Sequence, residues 1–291
     1  MKSSTTFLIL LTGLIVSCTN PTTEEQTKTN TEAVSIASPT NKVKLSSEIE
    51  WEKLNPARGD DSPLAGTIWG DRKGEVATGF LAKFADGFSS PPHIHNVTYR
   101  AVVISGTIHN DDPKAENMWM KPGSFWTQPV GEAHITSAKG SNNIAYVEID
   151  KGPYLVNPIE EAFDNGERPI NIDVSNLVWL DVSETNLIDQ SFNSNNSPKV
   201  SFLWENNGLK GNFIKLPAGF NGKVQSNGKV FHAVVISGNP IYFDSDKEES
   251  IPLDAGSYFT SEEKSTHSVS VNANTECVIY VRSDTDFNIL K

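Results

Sequence analysis

Two stretches of this chain are near copies of each other, and that repetition limits the possible folds more than any other feature. Gly87 to Gly106 reads GFSSPPHIHNVTYRAVVISG, and Gly219 to Gly238, at an offset of 132, reads GFNGKVQSNGKVFHAVVISG. Further on, MKPGSFWTQPVGEAHITS lines up with LDAGSYFTSEEKSTHSVS, setting Gly123 against Gly256 and His134 against His267 at an offset of 133. IAYVEID then answers VIYVRSD, and Trp69 precedes the first block as Trp204 precedes the second. Similarity kept in order over this length marks a tandem duplication, with halves of roughly Leu45 to Val156 and Val178 to Ile289, so the fold must be one that the same pattern can build twice.

Each half reads as β structure. GFLAKF, YRAVVIS, SFWTQP and NIAYVEI are short runs rich in Val, Ile, Phe and Tyr, punctuated by Gly, Pro, Asn and Asp, and no long segment carries an apolar period of 3.6. Many short strands in a half of this size predict a sandwich or barrel, so the fold class is all-β with two tandem barrels. The organisation expected is a signal peptide over 1–17, a lipidated cysteine and tether over 18–44, a first barrel over 45–156, a connector over 157–177 and a second barrel over 178–291. A helical turn is expected within Asn157–Ile172 of the connector.

The N-terminal reading rests on MKSSTTFLILLTGLIVSC, where Lys2 precedes an apolar run too short to span a bilayer. Ile15-Val16-Ser17-Cys18 resembles a bacterial lipobox, which implies cleavage before Cys18, acylation of its thiol and an address in the cell envelope, on the outer membrane or in the periplasm of a didermic bacterium. Thr19 to Lys42, rich in Thr, Asn, Ser and Glu, lacks the apolar surface to order itself and reads as a tether. With Cys18 acylated, Cys277 has no partner for a disulfide, and its place in CVIYV makes it a buried strand residue. A formal net charge of −12 without a basic stripe argues against nucleic acid as a partner. The partners expected are a small molecule, the membrane through the anchor alone, and a second copy of the chain if it forms a homodimer.

The chemistry is carried by histidine. His93 and His95, two of only six histidines, stand one residue apart after two prolines, a spacing that points both imidazoles to one face of an extended strand. The segment Gly87-x5-His93-x-His95-x3-Tyr99-x6-Gly106 resembles the first cupin motif, and Gly123-x5-Pro129-x-Gly131-x2-His134 resembles the second. The resemblance covers nearly all of both halves, as in a bicupin, and the N-terminal half is similar to an uncharacterised bacterial double-cupin family classed only as a domain of unknown function. It implies two jelly-roll barrels and, in the first, one divalent metal held by His93, His95 and His134. Two positions depart from the pattern: Tyr99 stands where the family has a glutamate ligand, and Ala138 where it has an asparagine.

A site of three neutral imidazoles suits Fe(II), Zn(II) or Cu(II) better than hard Mn(II), with Fe(II) or Zn(II) foremost. Tyr99 and Gln128 are candidates for a fourth ligand or a supporting hydrogen bond, or else packing of the barrel interior. Glu132 is the nearest carboxylate to serve as a base, or a solvated loop residue; His109 is expected to start a turn, and Asp111 and Asp112 to line the rim. The second half has lost the site: Gln225, Asn227 and Phe231 replace His93, His95 and Tyr99, and His267 alone remains, so this barrel is expected to be structural. Two functions follow, with no catalytic residue assigned. One is a metal-dependent oxidoreductase of dioxygenase type acting on a small diketone-like or enolic molecule. The other is a tethered module that binds or senses a metal or small ligand without turnover.

Overall fold

The computed structural model describes residues 40–291; the segments read as signal peptide, lipidation site and most of the tether lie outside the described residues. The architecture is two β barrels. In the first half a seven-stranded sheet runs in the order Ile170–Ile172, Phe125–Gln128, Tyr99–Asp111, Ile135–Ile149, Thr78–Phe84, Leu64–Trp69, Glu52–Lys53, and a two-stranded sheet pairs His93–His95 with Val156–Pro158. The second half divides between a six-stranded and a five-stranded sheet. Helix among the described residues is confined to short 3-10 segments, including Ile159–Glu161 in the expected connector.

The repeated Ala-Val-Val-Ile-Ser run explains itself once burial is considered. Along Tyr99–Asp111, Tyr99, Ala101 and Val103 point into the first barrel, while Val102 and Ile104 point into a core that contains residues of both halves. Phe231, Ala233 and Val235 fill the second barrel in the same way, and Val234 and Ile236 meet the same shared core. A strand buried on both faces must be apolar at consecutive positions, and a one-residue slip would exchange the two cores. Each run ends on a glycine with positive φ, Gly106 at 73° and Gly238 at 82°, a conformation costly for other residues. In the first half the long strand continues through that point with register shifts on either side of Ser105, which bends it around the barrel.

The halves meet sheet against sheet, and the join carries charge. Glu148 and Arg282 occupy equivalent places in IAYVEID and VIYVRSD, and they face each other across the interface at 3.3 Å with almost no exposure. Glu148 also accepts hydrogen bonds from Tyr146 at 2.9 Å and from Tyr280 at 2.7 Å, the two tyrosines being themselves equivalent. Trp69 donates to the Tyr146 hydroxyl and Trp204 to that of Tyr280, at 3.2 and 2.8 Å. Trp204 lies under the Arg100 guanidinium at 3.7 Å, while Trp69 stacks on His232 with centroids 4.1 Å apart. Asp150 takes both Arg100 and Arg282. The buried Glu148, Arg100 and Arg282, with the partly exposed Asp150, thus sum to zero charge across the join.

Two stretches differ from expectation. The tether read over 18–44 ends early, because Lys42–Lys44 form a strand antiparallel to Tyr258–Ser261, with Val43 and Leu45 packed against the second barrel's core. The 157–177 connector is built into the first half: Val156–Pro158 pairs with the histidine strand, and Ile170–Ile172 adds an edge to the large sheet. Cys277 is a buried free thiol, as expected.

The join predicts its own test. Arg282→Ala leaves the fully buried Glu148 without a cation, and Glu148→Ala leaves Arg282 only the partly exposed Asp150, so each should lower unfolding free energy, the first by about 3–5 kcal/mol. The double replacement Glu148→Met with Arg282→Met should recover most of that loss. Denaturant unfolding measures it, and single variants within ~0.5 kcal/mol of wild type would refute the assigned role.

Candidate metal centre

Strand alternation does what the spacing implied. Ile94 turns away into the protein while His93 and His95 share the other face, and His134 arrives beside them through reciprocal backbone hydrogen bonds between His93 and His134 at 3.1 and 3.0 Å. One ring nitrogen from each histidine lies within 4.8 Å of the others, and no Asp or Glu of the described residues joins the group. The ring centroids of His93 and His134 are 4.3 Å apart, and His95 lies 5.0 and 5.2 Å from them.

The backbone sets which nitrogen is free. His93 Nδ1 faces the Pro91 carbonyl at 2.8 Å, His95 Nδ1 the Leu155 carbonyl at 2.8 Å, and His134 Nδ1 the Glu132 carbonyl at 3.2 Å. A carbonyl only accepts, so all three Nδ1 atoms carry the proton and each Nε2 keeps a lone pair. Burial also keeps the rings neutral. It pushes the His95 pKa down to about 3, with the neighbouring His93 adding to the effect, and it holds His134 well below the ordinary value, helped by His95 and His93. His93 is lowered by burial first and also by the charge of Arg58. Three neutral, oriented imidazoles with unprotonated Nε2 atoms are a donor set that fits a divalent transition metal.

Two phenols stand over this group. Tyr154 donates its hydroxyl hydrogen to His95 Nε2 at 3.1 Å, and its ring stacks on His95 with centroids 4.4 Å apart. Tyr99 donates to Asn110 at 2.9 Å and comes within 3.4 Å of His134 Nε2. Burial raises both phenol pKa values, so both remain neutral donors. Gln128 is spent on neighbours: it accepts from Asn110 at 2.9 Å and donates to the Glu132 carbonyl at 3.1 Å, the carbonyl that orients His134. Of the roles weighed for Gln128, this geometry matches the supporting hydrogen bond. His93 and His95 open on a cavity of about 290 Å³ walled by Phe80, Phe84, Phe88, Trp126, Val147 and Tyr154.

Other candidates fall outside the site. Glu132 contributes its carbonyl but does not line the cavity. His109 lies inside a long strand, fully buried, rather than starting a turn, and accepts from the Met118 amide at 3.3 Å. Asp111 and Asp112 do not line the rim: Asp111 accepts from Asn171 and Asp112 from the Lys114 amide in the turn that follows. In the second barrel His267 is sealed, with Nδ1 3.1 Å from the Tyr242 hydroxyl, Nε2 3.1 Å from the Ser261 hydroxyl, and Phe231 stacked on its ring. Phe231 and Phe259 stand where Tyr99 and Trp126 stand in the first half, so aromatic packing fills the space that a site would need. Tyr154 was not singled out in the sequence. It follows the last repeated strand, and no motif marks it.

Two barrels of this build, one holding a histidine triad, define a double cupin. The chain belongs to the family described as Domain of unknown function (DUF4437), which matches residues 42–290. A search of curated proteins finds no match. Solved structures share the fold: a proposed dioxygenase of Nostoc punctiforme is 13% identical, with 86% of this chain and 84% of that one covered at a TM-score of 0.65. Oxalate decarboxylase of Lactobacillus farciminis is 10% identical over 86% and 87% of the two chains at 0.55, and hazelnut (Corylus avellana) vicilin 10% over 82% and 84% at 0.51. At such identities the likeness extends to the fold alone.

Two measurements bear on this site. His93→Ala, His95→Ala and His134→Ala should each cut metal affinity at least ~10-fold while the barrel stays folded, and His267→Gln should leave metal content unchanged. Metal analysis beside thermal unfolding decides, and metal retained in all three alanine variants would refute the site. His267 also predicts a pH effect, because burial holds its pKa at about 3. Below pH ~6.5 the unfolded chain takes up a proton that the folded ring refuses until about pH 3. Stability should therefore fall with pH through that window, and His267→Gln should make the slope shallower by up to about 1.4 kcal/mol per pH unit.

Proposed function

We propose that the first barrel holds one divalent metal, Fe(II) or Zn(II), on His93, His95 and His134, and that with iron it is an oxygenase for a small diketone-like or enolic molecule. The observation that carries this reading is the convergence of three histidine nitrogens, free of any carboxylate, with His93 and His95 lining an apolar cavity. A bound Fe(II) would polarise the oxygens of a chelating substrate and supply one-electron redox chemistry. The chain's part is to present neutral donors that leave the cation its full charge, and to exclude water with Phe80, Phe84 and Trp126. Tyr99, its hydroxyl hydrogen given to Asn110, lines the edge of the site as a neutral group, and the Tyr154 hydroxyl becomes a donor for a substrate oxygen only when a metal takes the His95 Nε2 lone pair. The same barrel as a binding or sensing module without turnover is favoured by one observation: no carboxylate lines the cavity to act as a base.

The second barrel we assign a supporting role, and Cys18 the role of lipid anchor to the cell envelope. Mass spectrometry of the native N-terminus should find residues 1–17 removed and Cys18 acylated; an unmodified Cys18 would end the anchor proposal. For the enzyme, the protein is freed of metal, reloaded separately with iron and zinc, and screened for oxygen uptake against β-diketones and enols. Uptake with iron, none with zinc and none in His134→Ala is the expected pattern. Metal bound without uptake on any compound would favour the binding module instead.

A further inference from the structure

Among the described residues Arg58 differs from every other arginine of the chain. Arg72 pairs with Glu52, Arg100 with Asp150, Arg168 with Asp164, and Arg282 with Glu148 and Asp150. Among the described residues the Arg58 guanidinium has no ion-pair partner and no hydrogen-bond partner. It is also the sole charged side chain that lines the histidine cavity.

Its position is built rather than free. Arg58 sits in the 3-10 segment Pro56–Asp61, which begins with proline and whose first amide is capped by Asn55: the Asn55 side chain accepts from the Ala57 amide at 3.2 Å. The guanidinium lies over Phe88, itself a wall of the cavity, at 5.4 Å from the ring centroid. A cation–π contact makes no use of the guanidinium's N–H hydrogen bonds, and its N–H edge matches a carboxylate with two parallel hydrogen bonds. One cation, with no second basic group and no glycine-rich loop among the lining residues, suits a carboxylate better than a phosphate. The cavity of about 290 Å³ lies at the lower end of ligand pockets, which limits the guest to a small molecule.

We propose that Arg58 determines specificity in the first barrel, and that its ligand is a small amphipathic carboxylate with an aromatic or aliphatic body seated among Phe80, Phe84, Phe88 and Trp126. The identification of the substrate class rests on the proposed function of this cavity, but the anion preference does not require the metal. Calorimetry with phenylbutyrate and its uncharged counterpart phenylbutyramide tests it on the full chain, zinc-loaded and chelator-treated. The acid should bind about tenfold or more tightly than the amide in both states, as a charged hydrogen-bonded pair implies. Arg58→Gln should abolish that ratio without moving the thermal midpoint. Arg58→Lys, a second variant in case the first fails to fold, should reduce it. Neither probe binding, an equal affinity for both, or a ratio unchanged in either variant overturns the proposal. A preference seen only with zinc also overturns it, since the metal would then hold the anion. Failure to bind zinc would instead refute the metal reading, and the ratio in metal-free protein would still decide the role of Arg58.

Discussion

A carboxylate with no exposure, Glu148, lies where the two repeats meet, and the arrangement of the molecule depends on its being satisfied. Burying an ion costs several kcal/mol unless partners surround it. Here Tyr146, Tyr280 and Arg282 do so, and two of the three come from the other half. Because Glu148 and Arg282 hold equivalent positions, a first half facing another first half would set glutamate against glutamate, and two second halves would set arginine against arginine. Opposite charge at one repeated position therefore selects the mixed pairing and disfavours both self-pairings. The surrounding Trp69 and Trp204 contacts keep the approximate symmetry, with His232 and Arg100 as their unlike partners.

The histidine centre depends on a related principle applied in the opposite direction. At the join, buried charge is retained and neutralised; in the first barrel, burial keeps charge from forming. Imidazoles that remain neutral, with three carbonyls fixing their protons, need no carboxylate to be ready for a cation. Those carbonyls come from the segment before the histidine strand, from the loop before His134, and from Leu155 just past the last long strand. The site is thus assembled from three separate parts of the backbone, whose positions are set by the barrel and by the pairing of Val156–Pro158 with His93–His95.

Much of this was legible in the sequence where a physical pattern repeats. The AVVIS runs announced strands, the spacing of His93 and His95 announced a shared face, and the resemblance to the second cupin motif brought in His134. What escaped detection depends on long-range apposition. Glu148 and Arg282 each read as an ordinary charged residue at the end of an apolar strand, and only the facing sheets turn them into a pair. Tyr154 and Arg58 reach the cavity from loops, where no periodicity points. Lys42–Lys44 offers one apolar residue between two lysines, too little for a strand signal, and pairs only because the Tyr258–Ser261 edge awaits it.

That last pairing bears on the order in which the chain can fold as it is synthesised. The Glu262 amide donates to the Thr40 hydroxyl at 2.8 Å, across 222 positions of sequence. The strand beside it cannot close until almost the whole polypeptide is available, at the entropic expense of a very long loop. Until the second barrel forms, the first has its interface uncovered, an apolar sheet face of the kind that other unfolded chains can meet. The earliest described residues are, in this sense, a clasp fastened last.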